Sequence, residues 1–506
     1  MKLAVERTAV GQDRRNPNQK LIALVRRQLV LLSAFLCAVM LSNIATNAQL
    51  TTADIIGTVD DSSGAVLPNA KVILTNQRTH EIRNAQSGNG GEYSFAFLLP
   101  GSYSVRVEAQ GFTTFTSTVE ISAGDRARVD VPLKVGQTSE SVEVVSQSPL
   151  LQTENSTVEN TVPEQHVENL PLTTRNLTTL VTLVPGANEG ASVDGLNSGQ
   201  RPDDRRQTSS FSVNGQDVEL NNEMIDGTDN NERIIGTIGV KPSIDAIQEV
   251  NVETNDYTAE SGRTPGGLVS VITKSGSNAF HGSLYEFLQN DIFDARNPFD
   301  PAPKFKQSEF RQNDFGGSVG GPIIKDRTFF FFGYEGFRQI AGVQNPITST
   351  VPTAVEQALG PAGIVAADPA TNGLAVDPIA ANLFKLYPLP NTGVPGQTTN
   401  NFVLDPNKTQ FSTTFDGRVD HRFTNNDLFY ARFTSNNVSS LIPTNLPNVT
   451  INGVSINPGN GRFGFAGPAK DTAYNGQLNY TEIHAATACM VRSFGISICP
   501  SSKISL

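Results

Sequence analysis

The chain has 506 residues, with 43 Gly, 29 Pro, 38% hydrophobic residues, three Cys and no Trp. Its formal charge of −11 argues against nucleic acid as a partner, since a phosphate backbone is bound by positive surfaces. The three cysteines, Cys37, Cys489 and Cys499, leave residues 38–488 with no disulfide framework and no thiolate metal site.

The chain opens with scattered Lys and Arg, ending in Arg26 and Arg27, followed by an apolar run over residues 29–41. That run is too short to cross a bilayer as a helix. With the small-residue stretch Ala45-Thr46-Asn47-Ala48 after it, it reads as a secretory signal peptide over residues 1–48. The leader holds seven basic and two acidic residues, so the exported remainder carries −16. Beyond Met40 no apolar run approaches the roughly 20 residues of a spanning helix, so any membrane insertion must use strands. Cys37 is read as lost with the leader.

Residues 49–136 read as a compact β-sandwich, with short strands between turn signals every ten or so residues. Tyr103, Val105, Val107 and Ala109 alternate with Ser104, Arg106, Glu108 and Gln110, and Ala127, Val129, Val131 and Leu133 alternate with Arg126, Arg128, Asp130 and Pro132. Each strand would bury one face. The motifs Gly57-Thr58-Val59, Pro68-Asn69-Ala70-Lys71-Val72, Gly91-Glu92-Tyr93-Ser94-Phe95 and Leu99-Pro100-Gly101-Ser102-Tyr103 resemble a carboxypeptidase regulatory-like domain. That resemblance implies a transthyretin-like sandwich used for folding or docking, with no peptidase activity. A carbohydrate-binding use would rest on fold analogy alone, and with no Trp to form a sugar platform, Tyr93 and Tyr103 read as core or corner residues.

Residues 137–160 read as a linker. Glu140-Ser141-Val142-Glu143-Val144-Val145 is extended and valine-rich, able to add as a strand to a partner sheet or to serve as the last strand of the sandwich. Residues 161–276 mix helix and strand signals. Leu177, Leu180, Val181 and Val184 have helical spacing that stops at Pro185-Gly186. Phe211-Ser212-Val213-Asn214-Gly215 and Met224-Ile225-Asp226-Gly227 read as short strands ending in Asn-Gly and Asp-Gly turns. This order resembles the plug domain of TonB-dependent outer-membrane receptors, with Val213, Asn214, Gly215, Ile225, Asp226 and Gly227 as the plug motif. The same resemblance makes residues 140–145 the candidate TonB box. It implies as partners a TonB-type energy-coupling protein in the periplasm, outer-membrane lipid and an extracellular ligand that the sequence leaves unidentified.

Residues 277–484 carry the strongest local signal. Phe411, Thr413, Phe415, Gly417, Val419, His421 and Phe423 lie on one side of an alternating stretch, and Ser412, Thr414, Asp416, Arg418, Asp420 and Arg422 on the other. A turn at residues 424–427 sends the chain back with Phe429, Ala431 and Phe433 on one face, which makes an antiparallel hairpin. Further strands are read at residues 280–289, 311–324, 328–338 and 471–482. A soluble half-buried strand has the same alternation, but the six strands are joined by connections running long, short, long, short, long. Outer-membrane barrels pair short periplasmic turns with long outer loops, whereas a soluble sandwich has no reason to sort loops by length. Phe315-Gly316-Gly317-Ser318-Val319-Gly320-Gly321-Pro322 and Lys325-Asp326-Arg327-Thr328-Phe329-Phe330-Phe331-Phe332 resemble the first barrel hairpin of the Oar-like subgroup, whose members carry a regulatory-like sandwich before the plug.

The expected fold is therefore mainly β: a transthyretin-like sandwich, an α+β plug and an incomplete antiparallel transmembrane barrel in the outer membrane. The resemblance implies a barrel of about 22 strands, more than residues 277–506 can supply. Residues 485–506 bring two Cys and lose the alternation, so this tail is read as a frameshift near Ile483 or the end of a fragment. The competing reading is a secreted or surface adhesin of β domains with a sugar-binding sandwich. Enzyme chemistry finds no support. His80, His166, His281, His421 and His484 lack metal-sharing spacing, and Gly316-Gly317-Ser318-Val319-Gly320 runs into Gly321-Pro322 where a nucleophile elbow needs a helix. Asp226-Gly227-Thr228-Asp229 lacks the alternating ligands of a calcium loop. No cofactor is expected.

Overall fold

A computed structural model describes residues 51–136, 141–145, 158–170, 175–189, 211–232, 238–257, 264–295, 309–342, 347–367, 374–404, 406–424, 426–444, 446–447, 449–451, 454–456, 467–485 and 488–498. The expected leader and Glu140 lie outside these residues. The sandwich has two sheets. In one, Ala53–Asp61 pairs with Glu92–Leu98 and, in parallel, with Arg126–Arg128 and Val131–Leu133. In the other, the order runs Ile82–Gln86, Lys71–Asn76, Gly101–Glu108, Thr114–Ile121 and Ser141–Val145. The alternating apolar residues Ile55, Val59, Val72, Leu74, Val105 and Val107 meet between the sheets, where their removal from water drives the fold. Tyr93 donates to the Val129 carbonyl at 2.6 Å and Tyr103 to that of Leu99 at 2.8 Å, and burial raises the pKa of both hydroxyls. Both rings are core residues tethered at their polar tips, as the sequence implied.

The second body is a five-stranded sheet in the order Val158–Val162, Ile247–Asn255, Leu268–Thr273, Asn222–Ile225, Thr228–Asp229. The sheet takes in residues 158–160, which the sequence reading gave to the linker, because Glu159 pairs with Glu253 and Asn160 with Val252. The helical spacing ahead of Pro185 forms Leu177–Val181. A second helix, Glu164–Asn169, was not expected; at six residues it carries no readable period. Val167, Leu177, Leu180 and Val181 cover the sheet residues Val250, Val252, Val269 and Val271.

The third body is a seven-stranded antiparallel meander: His281–Asn290, Phe310–Ile324, Thr328–Gly342, Asn407–Thr424, Asp427–Ile442, Gly467–Ala485 and Ala488–Ile498. The sheet is open, with the first and last of these strands at its edges. The first six match the expected strands, the first shifted by one residue and the other five running further, because hydrogen-bonded hairpins continue past the point where apolar alternation fades. The seventh corrects the expectation that strand structure ends near Glu482. Ala488–Ile498 pairs in register with the preceding strand from Ala485↔Ala488 to Tyr474↔Ile498. The five inner strands, of 15 to 19 residues, exceed the roughly 9–11 that a bilayer requires, and the edge strands of 10 and 11 residues match it.

Loop lengths sort by end. Short connections, at residues 325–327 and between Thr424 and Asp427, close one end, and the other carries the long connections, including one with the helical stretch Ala354–Ala367, kinked at Gly360, helix Pro378–Phe384 and the small strand pair Ile347–Ser349 and Phe402–Leu404. The sandwich docks at the short-turn end. Asn278 donates to the Thr79 carbonyl at 2.9 Å, Asp326 Nα donates to Asn278 Oδ1 at 2.8 Å, and Arg422 pairs with Glu81 at 3.1 Å.

The faces of the sheet are inverted relative to a soluble protein. Phe411, Phe415, Val419, Phe423, Phe433 and Leu478 are exposed on one side, while Thr414, Asp416, Arg418, Asp420, Arg432, Asn475 and Gln477 are buried on the other. Water would favour the reverse, whereas lipid outside and a polar interior favour this one. We predict that arginine substitution at Phe411, Phe415, Val419 and Phe423, one at a time, costs most at the middle positions, about 2–4 kcal/mol, and about 0–1 kcal/mol near the ends. Urea titration of vesicle-inserted protein measures the profile, and a flat one would contradict lipid contact.

Candidate functional site: the plug against the barrel wall

Charged residues on the inner face of the barrel strands meet the edge of the five-stranded sheet at a tight turn. Asp226 and Gly227, with φ of 46° and 76°, join Asn222–Ile225 to Thr228–Asp229 in the left-handed geometry that Asp-Gly supplies. The Asp226 carboxylate is first fixed within its own sheet, accepting from Thr273 Nα at 2.9 Å and Thr273 Oγ1 at 2.6 Å. It then faces two guanidinium groups of the wall, with Arg432 Nε 2.9 Å from Oδ2 and Arg418 Nη1 3.6 Å from Oδ1. The Arg432 contact is an ion pair whose N–H direction falls outside hydrogen-bond geometry.

Alternation puts both arginines on the inner face of adjacent strands, where the register sets Arg418 directly opposite Arg432. Like charges at such a position repel and need counter-charge. Asp420 supplies it along the strand, 3.0 Å from Arg418 Nη2, and Asp226 supplies it from the plug. Arg418 also donates to the Thr273 carbonyl at 3.0 Å and stacks over the Tyr430 ring at 4.4 Å. Gln477 donates to the Asp226 carbonyl oxygen at 2.9 Å, and Asp416 accepts from Ser243 Oγ at 2.6 Å and Thr434 Oγ1 at 2.9 Å.

A second cluster has the opposite polarity, with the cation on the plug. Arg175, in left-handed backbone at φ 42°, pairs with Asp245 at 2.5 Å and approaches the wall carboxylate Asp314 at 3.9 Å. Its guanidinium lies over the rings of Tyr285 and Phe287, 4.3 and 4.9 Å from their centroids, a favourable cation–π arrangement. Cβ atoms added at Gly316 would lie 2.6 Å from the Tyr285 hydroxyl oxygen and 2.2 Å from the Tyr334 carbonyl oxygen.

The expected plug-motif residues divide between two places. Val213 and Ile225 are fully buried in the plug core. Asn214 and Gly215 form their own left-handed turn, φ 53° and 73°, with Asn214 Nδ2 donating to the Thr254 carbonyl at 3.0 Å. Asp226 reaches the wall cluster through its carboxylate, and Ile225 through its carbonyl oxygen, which accepts from Arg432 Nη2 at 3.4 Å, while Gly227 completes the turn. Residues 141–145 lie elsewhere, paired in parallel with Thr114–Thr118 as the edge strand of the sandwich. Sequence reading missed Arg175, Asp314, Arg432 and the pairing of Asp226. The available signal was charge at polar positions of strands whose other face is greasy.

Removing one partner of a buried ion pair leaves an uncompensated charge, at about 3–5 kcal/mol. Asp226→Asn is therefore expected to lower the midpoint of plug unfolding, followed by protease access to residues 211–232, while the barrel strands stay resistant. Coincident loss of both would contradict a local lock.

Residues 272–502 match the outer membrane beta barrel domain family, and residues 54–134 match the carboxypeptidase regulatory-like domain. The chain is 28% identical over 305 residues to the TonB-dependent transporter Oar of Myxococcus xanthus, covering 57% of this chain and 27% of that protein. It thus spans about a quarter of the length of this curated relative. Among solved structures, the outer membrane transporter YddB from Escherichia coli is similar at 10% identity and a TM-score of 0.41, covering 65% of this chain and 37% of that one. A ferric enterobactin receptor mutant from Pseudomonas aeruginosa is similar at 13% identity and a TM-score of 0.37, covering 69% and 46%. These relatives are transporters and receptors rather than enzymes, and the adhesin reading is not favoured. The chain is thus similar to the Oar TonB-dependent transporter over part of its length, with a stretch matching a regulatory-like domain followed by one matching an outer-membrane β-barrel domain.

Proposed function

We propose that the chain acts within a TonB-dependent receptor that admits a bulky extracellular ligand across the outer membrane, with residues 161–276 as its plug. The observation that carries this reading is the polar character of the contact between plug and wall. A plug that must later rearrange is better held by ion pairs and hydrogen bonds, which water can replace, than by a fused apolar core. The Asp226 and Arg175 clusters fit that requirement, and the motif residues Val213, Asn214, Gly215, Ile225 and Gly227 serve to shape the sheet that presents Asp226.

A TonB-type periplasmic protein is the proposed source of force, and residues 140–145 the proposed grip. The extended backbone of Ser141–Val145 suits strand addition, and the place of this segment after the sandwich and before the plug lets tension pass to Val158–Val162. Residues 1–48 are proposed as the export leader. A photo-reactive amino acid introduced at Val142 or Val144 in cells should yield an adduct with the TonB-type protein. Adducts confined to the chain's own Thr114–Thr118 strand would overturn the assignment of the grip.

A further inference from the structure

Three buried oxygens converge where the sandwich meets the plug sheet, and none has a hydrogen-bond donor among the described residues: Glu159 Oε1, Glu253 Oε2 and Asn251 Oδ1. Register explains their proximity. Glu159 and Glu253 are direct cross-strand partners, and Asn251 lies two residues from Glu253 on the same face of the strand. The neighbouring contacts clamp one turn of the sandwich. Glu249 accepts from Ala123 Nα at 2.7 Å, and Asn251 Nδ2 donates to the Ala123 carbonyl at 3.0 Å and to Glu159 Oε2 at 3.3 Å. Gly124 follows at φ +86°, and an added Cβ there would lie 3.0 Å from Glu159 Oε2.

Buried acceptors without donors call for a missing hydrogen, a bound water or an ion. Two carboxyl groups and one amide oxygen fall short of the six to eight oxygens a calcium ion takes. A single proton is enough, because it turns one carboxylate into a donor for the other. We propose that Glu159 and Glu253 share a proton, and that this shared proton latches the plug sheet onto the Ala123–Gly124 turn of the sandwich. The charged groups bearing on the site, Asp125, Glu159 and Glu249, are all acidic. Burial, with Glu159 adding to it, raises Glu253 to about 7; burial raises Glu249 to about 7 as well, partly opposed by the Ala123 amide.

The sign follows from linkage. The docked state holds a proton that the undocked state releases near the ordinary 4.5, so docking weakens as pH climbs from about 4.5 to about 7 and is flat above. The latch is therefore closed in acid and loosened in mild alkali. It involves only sandwich and plug, and holds independently of the TonB reading.

Spin labels at Ser63 in the sandwich and Gln216 in the plug, with native cysteines replaced by serine, report docking of the full chain in detergent through their distance distribution. Between pH 5 and pH 8 the undocked fraction should rise at least tenfold, since each unit of pKa difference is worth a factor of ten. Glu253→Gln and Glu159→Gln, each carrying a permanent N–H donor, should show a much smaller rise than the parent, the remainder being the response of Glu249. Gly124→Ala should be undocked at both. A pH-independent parent, or Gln variants that keep the parent's pH response, would overturn the proposal. So would a docked population at pH 8 that EDTA abolishes, which would give the oxygens to a metal.

Discussion

The long strands turn their apolar faces outward, and that choice forces everything on the inside. Each strand that offers lipid a row of Phe, Val and Leu must place Asp, Arg, Asn or Gln on its other face, because side chains alternate. Those inner groups lie away from bulk water and need partners with fixed geometry. The plug provides them. Asp226 answers Arg418 and Arg432, Ser243 answers Asp416, and Arg175 answers Asp314. The plug is thus bound to the wall by the same constraint that makes the wall compatible with a bilayer.

The two ends of the sheet are just as different. Short turns leave little exposed backbone, and they sit where the sandwich rests on Asn278, Asp326 and Arg422. At the other end the connections are long enough to fold by themselves. The helix at Ala354 begins with a reciprocal cap in which Thr353 Nα donates to Glu356 Oε2 at 2.7 Å and Glu356 Nα donates to Thr353 Oγ1 at 3.2 Å. Val351, Phe402 and Leu446 form a small separate core there. Chain order and loop length together give the sheet a direction, with the sandwich on the inner side.

Much of this was legible in the residues. Period two between Phe411 and Phe423 fixes both the strand and its two faces, and Asn214-Gly215 and Asp226-Gly227 announce turns whose positive φ angles the structure contains. The buried tyrosines of the sandwich were equally readable, since Tyr93 and Tyr103 sit in alternating apolar strands. What could not be read was partnership across distance. Asp226 and Arg432 are 206 positions apart, and their meeting depends on the register of several hairpins, which no local pattern encodes. The strand at Ala488–Ile498 escaped for a different reason. Its pairing comes from the backbone of its neighbour, and a sequence with little alternation can still follow an existing edge.

The bare backbone at Gly316 has one more implication. With hydrogen in place of a side chain, the wall has a notch there, and the Tyr285 ring settles into it beneath the guanidinium of Arg175. A single methyl would run into the Tyr334 carbonyl of the next strand as well as the Tyr285 ring, disturbing both the wall and the seat on which the plug's cation rests. The glycine-rich strand that superficially resembles a nucleophile elbow is better understood as relief carved into the barrel, a mould that sets how the inner domain is oriented.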